Sequence, residues 1–458
     1  MKKLNWIFIL LCGVFFTACS DFLEEKSQDE VLIKTAKEFE GILLYYTDRQ
    51  SSWNVLDMVA DDIEAQTSKL NNQYNASSMI NYCFKVYTWQ PDVWDASWIN
   101  NAYTYTYNNI KGVNAVLDAI DEAEGSIEEK ELVKARAFAL RGYYYLMLVN
   151  VFGEPYNLNK NGLGVVMKRT ATVAENGIAR STVEECYNYI ISDFKEAITL
   201  FKKYPKTKNQ FLNITATNIL LSRAYLYMEN WEEAAKAATE AINTSDGLSN
   251  FTGLSSVILG SYDTKEVEWV TNITYYSLWS TYFYVATDLR TLYESGDQRK
   301  SFWINSNNTI KKLSTKGNYQ NYQSLRIAEA YLNRAEAYAK SNNDQGALAD
   351  LNELRRNRIT DYQNENLSGE ALKEAIRTER RKELCFEGLR WFDLRRYGMP
   401  AISREFKDDP KGSLKTYTLQ EKDPFYTLPI PSVAFDNNPL LKQNTLFNNG
   451  EPREADGV

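Results

Sequence analysis

Three carboxylates recur at helical spacing in LKEAIRTERRKELCFEGLRWFDLRRYG, residues 372–398. Leu372 and Ile376 begin an apolar stripe, and Glu379, Glu383 and Glu387 continue it at i, i+4 and i+8. Two facing carboxylates can act as general acid and base, as in glycoside hydrolysis. Glu383 with Glu387, or Asp61 with Asp62, would form such a pair. The same stretch also carries Arg377, Arg380, Arg381, Arg390, Arg395 and Arg396. Guanidinium forks gripping a carboxylate lower its pKa, the wrong direction for a general acid. The stripe therefore reads first as a buried ion-pair network that pins the helix, and no catalytic residue is assigned. The chain holds no His, which removes the commonest general base and metal ligand and excludes Ser-His-Asp and Cys-His catalysis. No metal site and no cofactor are expected.

Five cysteines are present. Cys19 follows Met1-Lys2-Lys3, a short apolar run from Leu4 to Phe16, and the small residues Thr17 and Ala18. Charge, apolar core and small residues are the layout of a secretory signal. The run of 13 residues is too short to cross a bilayer, which takes about 20. Small residues before a cysteine look like a bacterial lipobox, in which the thiol takes a lipid and the bond before it is cut. Residues 1–18 are thus expected to be a lipoprotein signal peptide and Cys19 the lipidated residue. Their loss removes Lys2 and Lys3 and moves the net charge from −8 to −10. So acidic a chain does not suit nucleic acid. Cys83, Cys186 and Cys385 have no metal-like spacing and read as free thiols, Cys186 and Cys385 among apolar helical neighbours.

Aromatic residues make up 13% of the chain and concentrate in two stretches. Nine lie between Tyr82 and Tyr107, and seven between Trp269 and Tyr284. A flat ring can cover the C–H face of a sugar while nearby amides bind its hydroxyls. Trp89, Trp94 and Trp98 fall in a loop-like stretch around Pro91, where exposure is expected, with Gln90, Asn100 and Asn101 as polar partners. Tyr103 and Tyr107 are one helical turn apart and share a buried face, and Tyr105 points away from them. The ligand-binding candidates are therefore Trp89, Trp94, Trp98, Asn101, Tyr105, Trp279 and Tyr282. The competing reading is that these rings are simply core.

The elements that would position these residues are mainly helical from about residue 100 onward. Residues 216–242 place Leu221, Ala224, Tyr225, Met228, Ala235, Ala238 and Ile242 on helical faces, with a turn at Glu229-Asn230. The segment from Arg223 aligns with that from Glu336: Ala224-Tyr225 with Ala337-Tyr338, Ala234 with Ala347, and Ala238 with Leu351. Both read as tetratricopeptide-type hairpins, which bury their apolar faces by stacking. Further hairpins are expected from Tyr103 to Val151 and around Thr182 to Phe201. The fold class is mostly α: a tetratricopeptide-like hairpin scaffold with long irregular, loop-rich insertions and short strands. Residues 19–458 form one body. Its scaffold spans about 100–244 and 324–398, with a loop-rich insertion over about 245–323 and an irregular C-terminal wrap over about 399–458.

The cysteine followed by SDFLEE, the segments LRIAEAYLNRAEAYAK and RRKELCFEGLRWFDLRRYG, and the tail LPIPSVAFDNNPLLKQN together resemble the SusD/RagB family of nutrient-binding outer-membrane lipoproteins. The resemblance runs along the whole mature chain and is strongest from about 324 to 447. In YTYTYNNIKGVNAVL, Tyr103 stands where the family more usually has Trp, so the substrate class is not carried over.

The resemblance implies a non-enzymatic lipoprotein that captures an oligosaccharide and delivers it to a SusC-like TonB-dependent transporter, for which it serves as a lid. In this family acids directly behind the cysteine, here Asp21, Glu24 and Glu25, go with display on the outer face of the outer membrane. A peptide or other nutrient as ligand, a carboxylate-dependent glycan hydrolase and a purely structural repeat adaptor are the alternatives.

Overall fold

The computed structural model describes residues 33–48, 53, 55–95, 102–273, 281–312, 321–436 and 438–457. They are mostly α-helical. The helices of seven residues or more are α1 (Ala36–Asp48), α2 (Gln73–Tyr87), α3 (Ala102–Ala119), α4 (Ile127–Phe152), α5 (Val183–Phe201), α6 (Ile214–Tyr227), α7 (Trp231–Asn243), α8 (Ile327–Lys340), α9 (Asp344–Arg356), α10 (Gly369–Leu384) and α11 (Arg390–Arg396). Short strands form three antiparallel pairs: β1 (Ile63–Ala65) with β3 (Phe283–Val285), β2 (Val267–Ile273) with β4 (Asn321–Arg326), and β5 (Ile402–Phe406) with β6 (Lys415–Leu419).

The two aligned segments are helical hairpins built alike. Glu229 (φ 58°) and Asn342 (φ 61°) take the left-handed conformation that ends the first helix of each. Asn230 and Asn343 then cap the second helix, accepting from the N–H groups of Glu233 and Gly346. α7 packs directly on α8, so the hairpins stack although more than 80 residues separate them in sequence. The chain leaves the scaffold at Asn243 and returns at Ile327, and the excursion carries β2, β3 and β4.

α3 and α4 form the hairpin expected over Tyr103 to Val151, with a Ser126–Glu129 capping box starting α4. The hairpin expected around Thr182 to Phe201 is instead the single helix α5, begun by a Thr182–Glu185 capping box and packed on α4 and α6. Its packing partner is the helix α4, reached across residues 153–182. Gly142 allows this approach, because a Cβ there would lie 2.6 Å from the Phe194 ring of α5.

Paired arginines fasten the helix contacts. Arg141 of α4 forks onto Asp193 of α5 through two bonds of 2.8 Å. Arg223 of α6 holds Glu329 of α8 at 2.6 and 2.7 Å, and Arg334 of α8 holds Asp350 of α9 at 2.8 and 2.7 Å. Arg396 of α11 grips Glu336 of α8 at 2.5 and 2.7 Å, and Arg380 of α10 holds Asp393 of α11 at 2.9 Å. Bidentate geometry fixes orientation as well as contact.

Helices also precede residue 100. α2 reads QYNASSMINYCFKVY, rich in residues of modest helix propensity, so burial of Ala76, Met79, Cys83, Val86 and Tyr87 makes it a helix. The C-terminal wrap is less irregular than its Pro and Asn content implies. Burial along β5 alternates from Ile402 to Phe406, the period of a strand with one face on the core.

Candidate functional site

The carboxylate stripe is structural. Glu379 and Glu383 are completely buried and Glu387 is 3% exposed. Glu383 accepts from Arg299 Nη1 at 2.9 Å, Arg358 Nε at 3.0 Å and Arg326 Nη1 at 2.7 Å. Glu379 pairs with Arg299 at 2.5 Å and Arg355 at 2.8 Å, and Glu387 with Arg326 at 2.5 Å and Lys312 at 2.7 Å. Burial pushes the Glu383 carboxyl upward, but Arg358, Arg326 and Arg299 outweigh it and hold it well below the usual range. The network is the expected one; its cations are not. The arginines beside the stripe in sequence face elsewhere: Arg380 to Asp393, Arg381 to Asp62, Arg390 to Asp61, Arg395 to the carbonyls of Asn150 and Gly153, Arg396 to Glu336, and Arg377 to Glu374. Adjacent helical positions do not share a face. Apart from Lys382 of α10 itself, which pairs with Glu379 at 3.1 Å, the cations that do arrive come from the excursion and from α9 and the residues just after it.

Asp61 and Asp62 are likewise engaged. Burial raises Asp61, but Arg390 and Arg381 bring it down to about 2. Asp62 is 2% exposed and pairs with Arg381 at 2.8 Å.

Trp89 and Trp94 depart from the exposure expected of their stretch. Trp89 is fully buried, and its indole N–H donates to the Val59 carbonyl at 2.9 Å. Trp94 is 9% exposed and donates to the Pro429 carbonyl at 2.6 Å. Gln90 exchanges two bonds with the Arg453 backbone, at 3.0 and 2.8 Å. The C-terminal wrap therefore covers residues 89–94, and neither Trp89 nor Trp94 offers a ring face to a ligand. Tyr103 and Tyr107 share the core as expected, with ring centroids 4.7 Å apart, and Tyr103 also meets Phe152. Tyr105 is half-buried on the other side of α3. Cys83, Cys186 and Cys385 are free and buried, and burial pushes their thiols up to about 12, 11 and 12. Cys19, Trp98, Asn101 and Trp279 lie outside the described residues.

The second aromatic stretch leads to a cleft. In β3, Phe283 and Val285 are buried while Tyr284 is half-buried on the opposite face, across from Glu64 of β1. Tyr282, just before β3, is half-buried and packs against the core. The Tyr282 carbonyl accepts from the Gln66 N–H at 2.9 Å, which ties the two segments together. A cleft of about 650 Å³ opens between this sheet, the start of β5 and α11. Its wall includes Tyr284, Glu64, Thr67, Asp288, Ser403 and Glu405, with Pro400 and Leu394 as apolar patches. A ring face, hydroxyls and carboxylates around one polar cleft can cover one side of a sugar and bind its hydroxyls. Of this wall the aromatic stretch and Asp61 were singled out in sequence, while the cleft itself was not, since β1, β3 and β5 are brought together from across residues 63–406.

Residues 21–226 match the family model described as SusD-like, starch-binding, associating with outer membrane, and residues 261–447 match the model of the SusD family. The chain belongs to the SusD family. A SusD-like protein of Formosa agariphila is 30% identical over 129 residues, which is 28% of this chain and 24% of that relative's length. A SusD superfamily protein from Bacteroides fragilis has the same fold, with a TM-score of 0.73 at 22% identity, covering 89% of this chain and 99% of its own. A laminarin-binding SusD-like protein superposes with a TM-score of 0.65 at 18% identity, covering 90% of this chain and 99% of its own. Among the described residues no helix is long and apolar enough to cross a membrane.

Proposed function

We propose that this protein is a lipid-anchored outer-membrane glycan-binding protein, displayed outward, that captures an oligosaccharide and delivers it to a SusC-like TonB-dependent transporter without itself performing chemistry. The observation that carries this reading is the match of two consecutive stretches of the chain to SusD-family models, one of them described as starch-binding. The laminarin-binding neighbour supports a glycan as ligand. In this reading Cys19 carries the lipid after residues 1–18 are removed. The sugar lies against Tyr284, and the hydroxyls and carboxylates of the cleft wall bind its hydroxyl groups. Tyr105, Trp98, Asn101, Trp279 and Tyr282 remain candidate contacts on sequence grounds, and the buried Trp89 and Trp94 leave the set.

Calorimetry of the purified protein against a panel of oligosaccharides and peptides tests this. Saturable binding of an oligosaccharide, weakened by Tyr284→Ala, is expected. Binding of peptides with no oligosaccharide bound overturns the glycan reading. Release of new reducing ends from a bound glycan overturns the non-enzymatic one.

A further inference from the structure

Resting on that oligosaccharide reading, we infer that the ligand is acidic and that a second cleft, beyond the Thr287–Arg290 turn, receives its anionic group. This cleft has a volume of about 500 Å³, and its wall includes Arg290, Lys300, Thr287, Ser306, Asn305 and Asn308. Among the described residues, two that line it are cations and none is a carboxylate. The first cleft has more acids than cations, with Asp61, Glu64, Asp288 and Glu405 beside Arg390 and Arg404.

The two cations are differently placed. Lys300 is exposed and makes no ion pair among the described residues. Arg290 reaches Glu64 at 3.0 Å and Thr287 Oγ1 at 2.6 Å through Nη2, while its Nε is buried without an acceptor. Glu64 thus stands behind Arg290 and offsets part of its charge, which leaves Lys300 as the principal open cation. The Asn305–Asn308 turn on the same wall is held by backbone hydrogen bonds. Asn308 sits at φ 66°, with its N–H bound to the Asn305 carbonyl at 2.8 Å and its carbonyl bound by the Val285 N–H at 2.9 Å. In a chain of net charge −8, an open cation in a polar cleft favours an anion that the rest of the surface repels. Thr287 lines both clefts, so one oligosaccharide can cross this ridge with a ring against Tyr284 and an acidic substituent at Lys300. A uronate carboxylate and a sulfate ester share the required chemistry.

Calorimetry at low and high salt with an oligogalacturonate, a sulfated galacto-oligosaccharide and a neutral galacto-oligosaccharide provides the test. At least one acidic probe is expected to bind more tightly than the neutral one, and whichever acidic probe binds identifies the group. Lys300→Glu should weaken it by about tenfold and remove most of its salt dependence, with neutral binding unchanged. Lys300→Gln should fall between. Neutral binding as tight as both acidic probes, or acidic binding untouched by Lys300→Glu, overturns this inference and leaves the glycan reading standing. Failure of every oligosaccharide in this set and in the wider panel overturns both.

Discussion

Glu383→Gln isolates the contribution of the buried charge network. The side chain keeps its volume, loses its charge and presents an NH₂ where an oxygen had accepted. In the native protein each oxygen of Glu383 takes two contacts: Oε2 from Arg299 at 2.9 Å and Arg358 at 3.0 Å, and Oε1 from Arg326 at 2.7 Å and Arg358 at 3.1 Å. The amide removes the two at one oxygen, each about 1.5–3 kcal/mol for a bond to a charged group, or about 3–6 kcal/mol together. Breaking one partner of a buried ion pair costs about 3–5 kcal/mol by a separate route, so the two figures agree. An unfolding entropy of about 2.1 cal/mol/K per residue over roughly 400 residues turns this loss into a melting point lower by about 4–7 °C. Thermal unfolding followed by far-UV circular dichroism measures it. Glu374→Gln is the control, because Glu374 is 69% exposed opposite Arg377 and should change stability by less than about 1 kcal/mol. A Glu383→Gln melting point within a degree of wild type would refute the structural role. Unchanged stability with lost ligand binding would instead put Glu383 at the site.

Other perturbations separate core from cleft. Burial raises Asp57 to about 8 despite the Gly388 N–H bond, so its contribution to stability is full below the unfolded value near 4 and is lost as pH rises through about 8. Asp57→Asn keeps the acceptor and should stabilise the protein more at pH near 8 than near 5; an equal gain at both would show that Asp57 does not titrate in this way. Gly142→Ala puts a methyl into the Phe194 ring and should cost about 1–3 kcal/mol in urea unfolding, and a neutral result would mean that α4 and α5 part readily. Tyr284→Ala should weaken oligosaccharide binding by about tenfold, since a stacked ring contributes roughly 1–2 kcal/mol, and should leave the melting point within a few degrees. Trp94→Ala should do the opposite: a loss of about 3–5 kcal/mol of stability and near-native affinity at low temperature. Affinity that falls with Trp94 and not with Tyr284 would return the site to the tryptophan stretch.

Local pattern accounts for what was legible. The hairpins around Glu229-Asn230 and Asn342-Asn343 follow from apolar spacing and short polar turns, because helix formation and capping act over a few residues. The burial of Glu379 and Glu383 was legible for the same reason, since they continue the Leu372–Ile376 stripe. α2 was not legible, because its residues favour helix only weakly and burial decides its conformation. β5 was legible in principle from its alternation but lay in a segment whose Pro and Asn content pointed elsewhere.

The amino-acid sequence alone determined the helical repeats, the charged stripe and the kinship to a family, because periodicity and motif order are properties of the chain itself. Only the tertiary structure decided which arginines meet Glu383, since Arg299, Arg326 and Arg358 come from 25 to 84 residues away and no local spacing encodes them. It also decided that Trp94 belongs to the core, because the carbonyl it binds lies 335 residues downstream. A buried ring and a binding ring are chemically the same residue. What differs is whether another segment folds over it, and that is set by the whole chain.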